Sequence, residues 1–458
     1  MAPPPTSQSP EAVDSSSDTV SSQTGDAQGV GENAQTASGR DGPLPPLSAS
    51  WRLKPLSQAE NDKVHRILRA CDEHNLDDLR HLATSEGGLI EDEVRRATWP
   101  LLLGFDQSQQ SADADQWLSL PQHRDEDQVQ LDVNRSFVYY PKGMSHESDK
   151  RKDIRKHELL TLISGVLRQH PLLHYFQGFH DIAQVLLLVL GQQCSIPAVS
   201  HLSLLRIRDF MLPTMAGTEP HLHLFKHILY AVDPVLAQHL LEVQPFFALA
   251  ATLTLYAHEI EEYGDIARLF DFLLANEAVM PLYLYAAIVI SRRKELLDFE
   301  ADEPEILHAI LSKLPKPLDL DRLIRRASEL FTQHPPEKLP DRAWRSISIN
   351  SVLKTTHGDP QQLARQGLAD GERMFERQAA ELRRADVRRR RLVQARQVFR
   401  RYRAPAAYAA ATVLVAAVAL LLGKRGFEGP LVALSPLIAG LRVKAVDGVR
   451  FVLGPRPH

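Results

Sequence analysis

The chain has 458 residues, with 53 Lys plus Arg against 57 Asp plus Glu and a formal net charge of −4. That near-neutral total hides a segregation: residues 1–50 carry six acidic residues against Arg40 alone, and residues 382–403 carry ten arginines against Asp386, which leaves the intervening body acidic. An acidic body excludes a nucleic-acid-binding domain, which needs a basic face to displace phosphate counterions, and two cysteines, Cys71 and Cys194, exclude a disulfide framework.

Residues 1–50 hold ten serines and only six residues from V, I, L, M, F, W and Y. So little apolar surface cannot offset the entropy of ordering, so this acidic Ser/Pro-rich head is expected to be disordered. From residue 56 the apolar spacing becomes helical. Val64, Ile67, Leu68 and Cys71 form one stripe, Val94, Trp99 and Leu101–Leu103 another, and Leu159, Leu160, Ile163, Val166 and Leu167 a third that stops at Pro171. Further stripes predict helices over 179–191, 199–211, 221–242, 246–261, 265–275, 279–292, 304–313 and 318–332. Period-two alternation is scarce, so the expectation is an all-α body over 51–355.

Residues 356–403 read as a charged helical linker ending in an arginine-rich collar. Ala404 to Gly423 then supplies 20 uncharged residues, nine of them alanine. At about 1.5 Å per residue this covers the hydrocarbon core, so it reads as a transmembrane helix. A core helix of a soluble domain is the competing reading. The arginines before it place the body in the cytosol and offer contacts to anionic lipid headgroups. The remaining tail, 424–458, is read as either lumenal or re-entrant.

Phosphate loops, dinucleotide fingerprints and zinc-protease motifs are missing. His221, His223 and His227 cluster without further ligands, and no metal site is expected. Two short motifs remain: Val129-x-x-Asp132-x-x-Arg135-Ser136, and Tyr175-x-Gln177-Gly178. In this order, within a helical acidic body, they resemble the two fingerprints of the TBC family, the GTPase-activating proteins of Rab GTPases. Gly88-Leu89-Ile90, Arg95-x-x-x-Trp99-Pro100, Leu101–Gly104 and Arg268-Leu269-Phe270-Asp271 extend the resemblance over about 85–340. Val129 replaces the usual Ile, Ser136 the usual Thr, and Phe176 stands where Cys is common.

The resemblance implies a single large multi-helix TBC domain that stimulates GTP hydrolysis by a Rab-family small GTPase, with no independent catalytic activity. It assigns Arg135 as an arginine finger and Gln177 as a glutamine finger supplied in trans. Asp132, three residues earlier, is expected either to hold the finger or to cap a helix; Tyr175 and Gly178 are expected to shape the loop presenting Gln177. No cofactor of its own is implied, since Mg²⁺ and GTP come with the partner. Arg208–Met211, Leu269–Tyr283 and the C-terminal span are similar to the endoplasmic-reticulum-anchored subgroup, implying that membrane and early secretory traffic. A membrane-anchored Rab-binding scaffold without catalysis is the alternative. Arg95 and Trp99 are expected to pack the first helices, and Arg268 and Asp271 to pair with each other.

Overall fold

The computed structural model describes residues 55–105, 116–137, 149–358 and 365–423. The expected head at 1–50 and tail at 424–458 lie outside these residues. No strand occurs among the described residues, and the body is all-helical as its apolar spacing predicts.

Helix α1 (Gln58–Asp72) begins where Ser57 and Glu60 cap one another: the Glu60 amide donates to Ser57 Oγ at 3.3 Å and the Ser57 amide to the Glu60 carboxylate at 2.8 Å. Ile67 and Cys71 of its stripe are buried, whereas Leu68 is 40% exposed and lies off the core face. Next come α2 (Leu76–Thr84), α3 (Asp92–Leu103), α4 (Glu126–Asn134), α5 (Asp149–Gln169) and α6 (Phe179–Leu205). The two stripes expected at 179–191 and 199–211 fall largely on this one helix, α6, bent at Gly191 (φ 74°, ψ 170°). Among the described residues α6 is the helix long and apolar enough to cross a membrane. With 72% of its apolar window buried in the body, it is instead the central core helix, against which α5 packs.

The stripe at 221–242 divides into α7 (Glu219–Val232) and α8 (Pro234–His239). Asp233 ends the first and caps the second, its carboxylate accepting from the Leu236 amide at 2.9 Å, and Pro234 occupies the first position, where a missing N–H costs nothing. The single helix expected at 246–261 is not formed. A helical turn at Pro245–Ala248 leads into α9 (Leu249–Leu253), then Leu255 and Tyr256 take positive φ of 48° and 66°. Tyr256 is fully buried and donates its hydroxyl to the Pro281 carbonyl at 2.7 Å, so a tertiary contact overrides local helical spacing here.

Helices α10 (Tyr263–Ala275), α11 (Met280–Ser291), α12 (Arg293–Leu297), α13 (Pro304–Leu311) and α14 (Leu320–Gln333) follow. Helix α11 is buried on nearly every face and packs along α14, whose Leu320, Leu323, Ile324, Ala327 and Leu330 form a single buried stripe. Each fully buried Leu or Ile contributes about 1.5–3 kcal/mol. Short α15 (Ala343–Ser346) and α16 (Val352–Thr355) close the body. Buried Asp209 holds α16 by accepting from Ser351 Oγ at 2.5 Å and the Val352 amide at 3.0 Å. On the other side Asp209 meets His221 Nε2 at 3.0 Å, while the His223 ring lies tilted against that of His227 with centroids 4.7 Å apart, so the three histidines do not converge.

Helix α17 (Leu368–Gly423) is 56 residues long and carries the arginine collar and the uncharged stretch. Its first turns are not solvated as a linker would be: Phe375, Gln378 and Ala379 are buried. Gly371 permits the approach to α6, because a Cβ there would lie 2.8 Å from Leu204 Cβ. Farther along, Tyr408, Val413, Leu414, Leu420 and Leu421 are exposed.

Candidate functional site

Arg135 is the C-cap of α4, a position where the helix dipole favours positive charge. Its guanidinium donates to Asp132 Oδ1 at 2.6 Å; Asp132 is fully buried, whereas the Arg135 side chain is 69% exposed. The carboxylate thus fixes where the arginine starts without enclosing it. After Arg135 the chain turns sharply at Phe137 (φ 60°), whose amide donates to the side-chain Oε1 of buried Gln184 at 3.1 Å.

Asp132 also accepts from the Tyr175 hydroxyl at 2.9 Å and from Gln128 Nε2 at 3.1 Å. Burial, and then the Asp132 carboxylate, push the Tyr175 phenol well above its ordinary value, so the hydroxyl remains a donor. One carboxylate therefore joins the arginine of the first motif to the tyrosine of the second.

Gln177 is exposed, and its side chain has no hydrogen bond among the described residues. It precedes Gly178, the N-cap of α6, which has φ 100°. A Cβ there would lie 2.5 Å from Thr254 Cγ2, so both backbone conformation and space require glycine. Arg135, Gln177 and Gly178 line one open groove of about 620 Å³, with Met215, Phe246, Leu249 and Leu253 along its apolar wall. The two motifs, 42 positions apart from Arg135 to Gln177, meet in a single concave surface.

Several residues that spacing did not disclose build this site. Arg124 donates to the carbonyls of Pro171 and Leu173 at 2.9 and 2.8 Å, and Asp125 accepts from the Tyr175 amide at 3.0 Å. The start of α4 therefore clamps the loop that carries Gln177. Helix α4 is held to α5 in turn by Glu126 and Arg168, at 2.6 and 2.7 Å. Burial pushes the Glu126 carboxyl up, but Arg168 and the His123 amide outweigh it and hold it below its usual range. Their only sequence signal is proximity to the first motif.

His180 Nδ1 lies 3.0 Å from the Tyr175 hydroxyl, and Asp181 accepts from His258 Nδ1 at 3.0 Å, all three of His180, Asp181 and His258 lining the groove. Burial holds His180 below its ordinary value, while the bond to Asp181 raises His258 above its own, with Glu259 adding to it. A raised folded value means that the His258 contribution to stability is full below an unfolded value of about 6.5 and is lost as pH rises through the folded one. The expected outcome is that the His258 ring proton resonances titrate above those of a free imidazole, and that Asp181→Asn lowers the midpoint. An unmoved midpoint in that variant would remove Asp181 as the cause.

The expected pairing of Arg268 with Asp271 is not what forms. Arg268 donates to Asp321 at 2.9 Å and to the carbonyls of Ala83, Thr84 and Ser85. Asp271 takes Arg95 and Trp99 instead, so those two residues do pack the first helices, around a carboxylate. The reason is reach: neighbouring turns of α10 point Arg268 toward the end of α2 and Asp271 toward α3.

The sequence profile described as the Rab-GTPase-TBC domain matches residues 92–297. TBC1 domain family member 20 of Bos taurus is 37% identical over 301 residues, covering 65% of this chain and 73% of that protein. Its Homo sapiens counterpart is 36% identical over 299 residues, with the same coverages. The GTPase-activating protein gyp10 of Schizosaccharomyces pombe is 31% identical over 337 residues, covering 72% of this chain and 86% of that protein.

Proposed function

Since this chain belongs to the Rab-GTPase-TBC domain family, we propose that it stimulates GTP hydrolysis by a Rab-family small GTPase, with Arg135 and Gln177 entering the partner's nucleotide site. Hydrolysis transfers the γ-phosphoryl group to water: the new P–O bond forms as the bond to the β–γ bridging oxygen breaks, and charge develops on the phosphate oxygens. A guanidinium is permanently charged and offers a planar fork of donors, so Arg135 would stabilise that charge. A carboxamide both donates and accepts, so Gln177 would orient the attacking water. GTP and Mg²⁺ would arrive bound to the partner.

The observation that carries this reading is that the two side chains are exposed and line the same groove. An exposed arginine anchored on a buried carboxylate suits a group that must change partner on docking. It favours catalysis over a scaffold that merely binds. The test is single-turnover GTP hydrolysis by a panel of GTP-loaded Rabs; no acceleration of any member would sink the reading.

We propose further that residues 404–423 anchor the body to the endoplasmic reticulum or an early secretory membrane, cytosolic side out, with the arginine collar against anionic headgroups. Support comes from the resemblance to the anchored subgroup and from the exposed apolar residues on the last turns of α17. Alkaline carbonate extraction should leave the chain in the membrane pellet. Recovery in the supernatant would remove the anchor.

A further inference from the structure

We infer that His180 is a positioning residue for Arg135: a hydrogen on its Nδ1, donated to the Tyr175 hydroxyl, commits that hydroxyl's single proton to Asp132 and so keeps the carboxylate set beneath the arginine. The inference rests on the proposed function and deepens it, adding to the finger's support a residue that acts through two other side chains.

A series of contacts runs inward from the finger. Arg135 Nη2 lies 2.6 Å from Asp132 Oδ1, the Tyr175 hydroxyl 2.9 Å from Asp132 Oδ2 and 3.0 Å from His180 Nδ1, and His180 Nε2 3.4 Å from Asp181 Oδ1. The placing of hydrogens along it follows from what each group can do. A carboxylate only accepts, and a phenol has one hydrogen to give. Given to Asp132, that hydrogen closes the 2.9 Å contact, and the imidazole must supply the hydrogen of the 3.0 Å one. Given to His180, it leaves the Tyr175 and Asp132 oxygens facing each other with nothing between them. Asp132 is fully buried, where an unmade contact is costly.

The other ring nitrogen decides between the two. Burial holds His180 below its ordinary value; Asp181 and Asp132 oppose this and His258 and Arg135 add to it, so at neutral pH the ring is uncharged and carries one hydrogen. Asp181 competes for that hydrogen at Nε2, but weakly: 3.4 Å is long for a charge-assisted bond, and Asp181 Oδ2 already accepts from His258 Nδ1 at 3.0 Å. The shorter contact, to Tyr175, draws the hydrogen to Nδ1. Neither ring is free to swing away, because the His180 side chain is 12% exposed and Tyr175 is braced edge-on against Phe179 at 6.1 Å. His180 lies in the first turn of α6, so the helix start that presents Gln177 through Gly178 also sets the anchor of Arg135.

The test is single-turnover hydrolysis by GTP-loaded Rabs with the full chain in detergent micelles, over a range of activator concentrations, with the His180 ring-nitrogen NMR shifts measured in parallel. An asparagine amide places its N–H where Nδ1 stands and a glutamine amide places it near Nε2, so the two variants imitate the two tautomers. His180→Ala and His180→Gln are expected to lower the rate at saturation on the order of tenfold, since a full misplacement of a reacting group by about 1 Å costs about 10²-fold. The half-saturating concentration should stay within about twofold, because the contact acts on the transition state rather than on docking. His180→Asn should recover most of the rate. Tyr175→Phe removes the hydroxyl through which His180 acts, so in that background His180→Ala should cost nothing further. The Nδ1 resonance, assigned by its loss in His180→Asn, should be that of a nitrogen carrying hydrogen. A full rate in His180→Ala, a loss confined to the half-saturating concentration, glutamine rescuing as well as asparagine, or a bare Nδ1 each overturns the proposal. An undiminished cost of His180→Ala in the Tyr175→Phe background, with Tm lowered to match, would make His180 a packing residue and overturn it too. If wild type accelerates no Rab, the catalytic reading falls; a hydrogen-bearing Nδ1 then supports the anchor alone, and a bare one overturns it.

Discussion

Arg135→Ala is expected to remove about 10³ to 10⁵ of the hydrolysis rate that the wild-type chain confers on its GTPase, the range attached to an arginine finger supplied in trans. In free energy this is about 4–7 kcal/mol of transition-state stabilisation. The loss should come without a loss of fold, because the Arg135 side chain is 69% exposed and its one described ion pair is to Asp132. Truncating the arginine does not strand the buried Asp132 carboxylate, which still accepts from the Tyr175 hydroxyl and Gln128 Nε2. Arg135→Lys should recover little, since an ammonium lacks the planar fork. Gln177→Ala should cost on the order of 10²-fold, the scale of misplacing a reacting group. Asp132→Asn separates positioning from chemistry: it keeps one acceptor oxygen and turns the other into an amide donor, so it weakens the hold that Asp132 has on Arg135 through Oδ1 and on Tyr175 through Oδ2. Its rate should fall by less than that of Arg135→Ala. Single-turnover measurements at saturating activator, with melting curves in parallel, decide the matter. An Arg135→Ala chain that accelerates hydrolysis as well as wild type would show that the groove's arginine is not the finger.

What the amino-acid sequence makes legible follows from where each determinant lies. Helices whose buried stripe is set by local spacing, such as α3 and α14, are readable because that spacing alone decides which face is apolar. Arg135 and Gln177 are readable because each sits in a compact motif. The break of 246–261 is different in kind: the positive φ of Leu255 and Tyr256 accompanies a hydroxyl reaching Pro281, 25 positions away from Tyr256. The packed start of α17 is hidden because Phe375, Gln378 and Ala379 are set among charged residues that dilute the stripe. The rest of the site shares this long-range character. Arg124 reaches Pro171 across 47 positions, Asp125 reaches Tyr175 across 50, and His258 reaches Asp181 across 77. Each is an ordinary polar residue until the fold supplies its partner. Phe246 and Met215 are illegible for another reason, since nothing in their local spacing separates an apolar residue that the fold leaves open from one that it buries.

Asp271→Ala should be the most destabilising single substitution among the polar residues of the body. Asp271 is fully buried and all four contacts on its two oxygens are filled: Oδ1 accepts from Arg95 Nε and Trp99 Nε1, each at 2.9 Å, and Oδ2 from Arg95 Nη2 at 3.0 Å and the Leu89 amide at 2.9 Å. Arg95 is itself 1% exposed and reaches Asp92 at 2.8 Å, and Asp92 accepts from the Tyr263 hydroxyl at 2.7 Å. This network ties α3 to α10 and to the loop before α3, and no member of it lines the finger groove. A well-made buried pair need not stabilise more than an apolar replacement, because desolvation opposes the Coulombic gain. Breaking it from one side is another matter. Removing the carboxylate leaves a guanidinium short of its bidentate partner, and an indole N–H and an amide without acceptors, at a cost of about 3–5 kcal/mol. For a body of this size that lowers Tm by roughly 10 °C. Below the melting temperature the Asp271→Ala chain should still stimulate hydrolysis, since Arg135, Asp132 and Tyr175 keep their own contacts. A Tm within about 2 °C of wild type, where each kcal/mol is worth a few degrees, would show that water or a rearranged partner satisfies Arg95 and that the carboxylate is dispensable.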